Sequence, residues 1–274
     1  MRKMVARGEW KMISSQKIQQ LLERAESGQI TESDFVAFLE NPRLWRKTSE
    51  LTQIAPEDAQ AFWQSVYNEL GLKIAVPTVP VLTETQVKSL DRFGFMLVFI
   101  PNISEEQYPA CFVKPAWSEY LNVERIKHEP LEGQWVAIET IAKPDCDDDA
   151  DYAEDRLMVA VRHDKRLHTS HNALTGGLLE RVAKATGFPK KGTRLPTAEE
   201  WNFVGNLFNW LREHRSMSLP DLGSTNAWEW CQNTYTSVSQ LIVGNAALGG
   251  LADVDDGWYG HGHDGIGFRV LAVL

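Results

Sequence analysis

Cysteine, long apolar runs and basic charge are all scarce in this chain. Only three cysteines, Cys111, Cys146 and Cys231, are spread over its 274 residues. An odd number at wide spacing, with no Cys-x-x-Cys pair, excludes a disulfide framework and a cysteine-rich zinc site and suits a reducing compartment. The longest apolar run, Phe95–Ile100, has the length of a buried strand and falls far short of the ~18–20 residues that a membrane-spanning helix needs. No membrane insertion is expected. The first residues, Met1 to Glu9, are basic but lead into no apolar stretch, so no signal peptide is expected. A cytoplasmic location is the default, with surface display or export by another route left open. Lys and Arg number 28 against 37 Asp and Glu, for a net charge of -9. That balance argues against a nucleic-acid partner, whose binding depends on neutralising phosphates.

One further scarcity is local. From Gly244 to Gly265 there is no Lys, Arg, Glu, Gln or Met, and the stretch is instead rich in Gly, Asp, His and Ala. Elsewhere the composition, 43% hydrophobic and 24% charged, is that of a folded protein with a sizeable core.

Residues 12 to 72 read as helical. Ser14 or Ser15 caps a stripe of Ile18, Leu21, Leu22 and Ala25, and Phe35, Phe38 and Leu39 form a second stripe. Pro56 opens a third helix carrying Ala59, Phe62, Trp63, Val66 and Leu70 before Gly71. Pro77 and Pro80 make Ile74–Leu82 an extended linker or domain seam. Thr83 with Gln86 forms a capping box, Phe95–Ile100 is a buried strand, and Gln134–Lys143 opens a new layer. Asp145 to Asp151 holds five aspartates, but Ala150 stands where an EF-hand loop needs Gly and no Glu follows at its twelfth position, so a solvated acidic loop is expected. Leu157–Val161 is a short strand or a helical end. Leu174–Thr186 is a helix stopped by Gly187. Thr197 and Glu200 form a second capping box, ahead of a stripe of Trp201, Val204, Leu207, Phe208 and Leu211. The expected division is a helical region over 1–82 and a second domain over 83–274.

Three signatures lie in order near the C-terminus: Arg194-Leu195-Pro196-Thr197-Ala198-Glu199-Glu200-Trp201, Asn226-Ala227-Trp228-Glu229-Trp230, and Gly267-Phe268-Arg269-Val270. They resemble the helix start, the N-V-W-E-W strand and the closing G-F-R strand of the formylglycine-generating (sulfatase-modifying) branch of the C-type lectin fold. The resemblance covers about 134–274. It implies an α+β, C-type-lectin-like domain behind an N-terminal helical region, with Gln134–Ile141 antiparallel to Phe268–Leu274. Arg269, set among apolar neighbours, then needs a buried acceptor. The enzyme branch carries a cysteine pair before its G-F-R strand, and this chain has none between Cys231 and its end. No enzyme activity is expected.

The chain looks instead like the variable proteins of diversity-generating retroelements, which share that fold. In that family adenine-directed mutagenesis rewrites AAC or AAT codons, which then cannot encode Lys, Glu, Gln, Met or Trp. The resemblance implies a variable segment over about 244–265 that binds a protein or cell-surface target through Asn245, Ala246, Ala247, Asp253, Asp255, Asp256, Tyr259, His261, His263 and Asp264. Leu248 to Ala252, Trp258 and Gly265 to Arg269 would be its framework, with Trp258 packed inside. No cofactor is expected. One alternative is a calcium ion at Asn226 and Glu229, as the enzyme branch implies. A second is a metal-dependent oxidoreductase using His261, His263 and Asp264, since imidazole and carboxylate suit transition metals.

Overall fold

A computed structural model describes residues 54–126, 128–146, 151–153, 155–260 and 262–274. The chain divides into two compact units, Met1–Glu50 and Leu51–Leu274. All described residues belong to the second; the two helices expected between residues 14 and 41, and most of the acidic loop, lie outside them. The second unit is mixed α+β with two sheets.

Helix α1, Pro56–Glu69, starts on Pro56 as expected, with Glu57 and Asp58 in its first turn, where the positive end of the helix dipole favours them. It buries Ala59, Trp63, Val66 and Tyr67. Helix α2, Glu84–Phe93, has the capping box of Thr83 and Gln86 and ends on Gly94 at φ +69°. Strand β1, Phe95–Ile100, is buried throughout. Trp63 Nε1 donates to the Leu97 carbonyl at 2.8 Å, and the Tyr67 hydroxyl donates to that of Phe99. Two donors one helical turn apart thus meet carbonyls two residues apart on the unpaired side of β1, covering an edge that would otherwise invite association. The stretch after α1 is extended but is no seam. Gln64 Nε2 donates to the Ile74 carbonyl at 2.8 Å, Gln60 Nε2 to that of Val76 at 2.9 Å, and Trp135 Nε1 to that of Pro77 at 3.2 Å. The boundary expected at residue 82 therefore falls inside this unit.

Strand β2, Ala116–Trp117, is short, and β3 spans Gln134–Glu139. Leu157–Val161 is helical, within α3, Arg156–Val161, which Asp155 caps. The helix expected over 174–186 is interrupted. A π-turn at Leu174–Leu178, with Gly177 at φ +137°, precedes the regular helix α4, Leu179–Thr186. Strand β4, Thr193–Arg194, leads into α5, Ala198–Arg215. Its capping box forms between Thr197 and Glu200, and Trp201, Val204, Leu207, Phe208 and Leu211 are all fully buried. The first turns of α5 are buried on every side, so its polar groups are paired too: Asn202 Nδ2 donates to the Leu251 carbonyl at 2.7 Å and Asn206 Nδ2 to that of Val113 at 2.9 Å.

The remaining strands are β5, Trp228–Thr234; β6, Ser239–Val243; β7, Asp253–Trp258; β8, Ile266–Phe268; and β9, Leu271–Val273. One sheet runs β1-β3-β9-β4 and the other β2-β7-β6-β5-β8. β3 and β9 are antiparallel neighbours, with Val136 opposite Val273. The C-terminal strand thus sits inside the first sheet while β8, two residues earlier, forms an edge of the second. No helix among the described residues is long and apolar enough to cross a membrane.

Candidate functional site

The two sheets are joined by buried charge. Glu229 and Arg269 are both fully buried. Arg269 Nη2 donates to Glu229 Oε1 at 3.0 Å and Nε to Oε2 at 3.1 Å. Trp201 Nε1 adds a donor at 2.6 Å and the Tyr152 hydroxyl another at 2.7 Å. Burial works against the charged carboxylate, but Arg269, Lys143 and the two side-chain donors outweigh it, and the Glu229 pKa is lowered. Arg269 Nη1 also donates to the carbonyls of Glu139 and Ile141, at 2.7 and 2.9 Å. The buried Arg166 forks onto Glu139 at 2.6 and 2.7 Å and pairs with Asp155. The buried acceptor that Arg269 requires is therefore Glu229. The Glu229 oxygens, a candidate calcium position in the sequence, are each held by two donors, and Asn226 Oδ1 accepts from the Cys146 N–H at 2.7 Å. Lys143 was unmarked in the sequence beyond ending a strand. It is buried, donating to the carbonyls of Ala227 at 2.7 Å and of Gly244, 5.6 Å above the Trp201 ring. Burial pulls its pKa down to about 8, with Glu229 opposing the shift.

Gly244 begins the unusual segment on top of this core. Its φ is +94°, and a Cβ there would lie 2.5 Å from the Trp201 ring, so the position admits only glycine. Asn245 and Asp253, expected on the displayed face, are only 5% exposed. Asn245 Oδ1 accepts from the Ala247 N–H at 2.9 Å and its Nδ2 donates to the Asn226 carbonyl at 2.5 Å. Asp253 Oδ2 accepts from the Asn245 N–H at 3.1 Å and from Trp228 Nε1 at 2.9 Å. Both side chains pin the segment down. Between them Ala246, Ala247 and Leu248 are exposed.

Residues 253–258 form β7, which sequence periodicity did not reveal, because its Asp and Gly are poor strand formers. Register places Asp255 opposite Ile242, Ile242 opposite Trp230, and Trp228 opposite Ile266. Directly opposed residues share a face, so these side chains lie on one side of the sheet, with Glu229 on the other. Part of that face is closed: Trp230 Nε1 donates to the Thr169 carbonyl at 2.9 Å, and Arg166 lies 5.0 Å over the Phe268 ring. The rest is an open cavity of about 330 Å³. Trp228, Ile242, Gly257 and Ile266 line it together with Asp255, Asp256, Trp258 and His263. Trp258 is 61% exposed, which corrects its expected packing role. Burial first and the Asp256 charge also push the Asp255 pKa up, against the Asp256 N–H that it accepts.

The loop after β7 is tied to a neighbouring segment. The His168 N–H donates to the His263 carbonyl at 3.2 Å, the Asn172 N–H to that of Tyr259 at 3.4 Å, and His168 Nδ1 lies 2.9 Å from Asp264 Oδ1. Gly262 passes so close to His168 that a Cβ would meet its carbonyl oxygen at 1.7 Å. His263 Nδ1 accepts from the Gly265 N–H at 3.2 Å. Tyr259 is half-buried, His263 and Asp264 are exposed, and His261 lies outside the described residues. Among the described residues no group of three or more His, Cys, Asp or Glu converges on a metal position. Compared with known proteins, the chain matches no family model and no curated protein.

Proposed function

We propose that this chain is a variable protein of a diversity-generating retroelement: a C-type-lectin-like scaffold of the formylglycine-generating type that binds a protein or cell-surface target without catalysis. The observation that carries the reading is the division of labour within 244–265. Asn245, Asp253 and Gly244 anchor the segment to a charged, buried core. Ala246, Ala247, Asp256, Trp258, His263 and Asp264 stand at the surface or at the mouth of one cavity. Side chains there can change while the backbone stays held, which is what a rewritten binding surface needs. Trp258, with Asp255 and Asp256 beside it, supplies the large, stiff contact area and the polar rim typical of adaptable paratopes. The order of the three C-terminal signatures, the pairing of β3 with β9 and the Glu229–Arg269 pair agree with this scaffold.

The test is genomic. A near-copy of the 3′ coding segment beside a reverse-transcriptase gene, differing mainly where the copy carries adenine, is the expected result. The mismatched codons should include those of Ala246, Ala247 and Asp256 and spare Gly244. Absence of both copy and reverse transcriptase from the flanking DNA would remove diversification in cis from this reading.

A further inference from the structure

The open cavity on the second sheet has a mostly apolar lining with one carboxylate at its side. Its volume, about 330 Å³, is at the small end of ligand pockets, which run from ~300 to 1,000 Å³, and suits a single side chain. Four neighbouring strands contribute to it: β7 gives Asp255, β6 Ile242, β5 Trp228 and β8 Ile266. Gly257 leaves room above Ile242, since a Cβ there would meet the Trp230 ring at 2.9 Å and Ile242 Cγ2 at 3.2 Å. Trp228 Nε1 donates to Asp253 Oδ2 at 2.9 Å, which fixes the plane of the indole. Asp255 Oδ1 accepts from the Asp256 N–H at 2.9 Å. Its Oδ2 has no donor, and neither aspartate has a cationic partner, among the described residues. A carboxylate half-buried against apolar groups is disfavoured in its charged form, and a cation brought beside it relieves that cost. Gly244–Gly265 carries four aspartates and no Lys or Arg, so the segment itself supplies no such cation. Asp253 Oδ2 also accepts from the Asn245 N–H, which sets the cavity beside the exposed Ala246, Ala247 and Leu248, while Trp258, 61% exposed, stands at its mouth. A pocket ringed by exposed apolar surface is the form that an interface anchor site takes.

Building on the target-binding reading, on which this inference rests, we propose that the cavity takes an arginine side chain of a protein partner, its guanidinium paired with Asp255 and its methylene stem against Trp228, Ile242 and Ile266. The chemistry selects this occupant. An anion would be repelled, and a neutral apolar group would desolvate Asp255 without compensating its charge. The carboxylates do not converge as metal ligands do, and a metal ion would leave the apolar lining uncovered. Arginine is favoured over lysine because its planar, weakly hydrated guanidinium pairs with a carboxylate and stacks on an indole at once.

N-acetylarginine methylamide is the probe, titrated calorimetrically into the full chain at neutral pH beside the matching citrulline and lysine amides, guanidinium chloride and free L-arginine. The arginine amide should bind with 1:1 stoichiometry. Citrulline, which keeps the shape and loses the charge, and guanidinium, which loses the stem, should each bind at least about tenfold more weakly. Asp255→Asn keeps an acceptor for the Asp256 N–H; it should weaken the arginine amide about tenfold or more and abolish the difference between arginine and citrulline. Asp264→Asn, the same change of charge outside the cavity, should leave affinity within about twofold. The ligand series on the parent chain decides the matter even if a variant fails to fold. Equal binding by citrulline or lysine, an equal loss in Asp264→Asn, or tighter binding by free L-arginine than by the blocked amide overturns the proposal, the last by assigning the cavity to a free metabolite. Arginine binding without a near-copy or reverse transcriptase in the flanking DNA keeps the pocket and drops only diversification; a near-copy without arginine binding drops the pocket alone.

Discussion

Arg269, in the link from β8 to β9, and Glu229, on β5, are both fully buried, so neither charge is tolerable without the other. Removing one partner from such a pair costs ~3–5 kcal/mol, whereas replacing both with apolar residues of similar volume can be nearly neutral. Arg269→Met alone should therefore lower unfolding free energy by about 3–5 kcal/mol in urea titrations, and the double replacement Glu229→Met with Arg269→Met should recover much of it. Equal losses in the single and double variants would show that the pair is not coupled. His171 is the residue-scale case for pH. Burial lowers its pKa to about 4, while the unfolded side chain titrates near ~6.5. Between those values the unfolded chain holds the extra proton, so stability falls as pH drops from about 6.5 to about 4. His171→Phe, filling the space beside Trp230, should flatten that acid limb by up to about one proton in the slope. An unchanged slope would show that His171 does not carry it.

Elements hold the candidate site by capping and anchoring. Thr197 caps α5, and Glu200 accepts a hydrogen bond from the Thr197 N–H at 2.9 Å while pairing with Arg194 at 2.6 Å. Thr197→Ala should cost ~0.5–2 kcal/mol. Glu200→Ala should cost more, because the half-buried Arg194 loses its partner; the two are compared by thermal unfolding. Within 244–265 the anchors and the display surface should separate cleanly. Substitutions at Ala246, Ala247 and Asp256 should change stability by no more than about 0.5 kcal/mol, whereas Asn245→Ala, which removes a buried side chain and strips partners from the partly buried Asn226 carbonyl and Ala247 N–H, should cost ~1–3 kcal/mol. If Asn245→Ala were as silent as changes at Ala246, the segment would not be held as the contacts indicate.

At the scale of the whole molecule, α1 is part of the structural unit that carries the site. A fragment beginning at Leu51 should unfold cooperatively with the parent's midpoint for this unit. A fragment beginning at Thr83 loses Trp63 and Tyr67, both fully buried, and uncovers the β1 edge. Truncating one buried aromatic costs ~3–5 kcal/mol, against a typical stability of ~5–15 kcal/mol. The shorter fragment should thus be unfolded or aggregated in far-UV circular dichroism and size-exclusion chromatography. A folded, monomeric 83–274 fragment would restore the boundary expected at residue 82.

The sequence alone determined what depends on neighbours along the chain. The capping boxes at Thr83 and Thr197, Pro56 at a helix start, the stripe from Trp201 to Leu211 and the buried run Phe95–Ile100 all have local causes, and each is present. The need for a buried acceptor at Arg269 was also legible, because an arginine between apolar residues poses that question by itself. Tertiary structure decided the rest. Asn245 and Asp253 turned inward and Trp258 outward because the hydrogen bond that Trp228 donates to Asp253 and the one that Asn245 donates to the Asn226 carbonyl, both across long stretches of sequence, fix the segment's path. Arg166, Tyr152 and Lys143 joined the core only once the sheets met. Side-chain type sets what a residue can do, but burial and partners are properties of the packed chain, and no local pattern carries them.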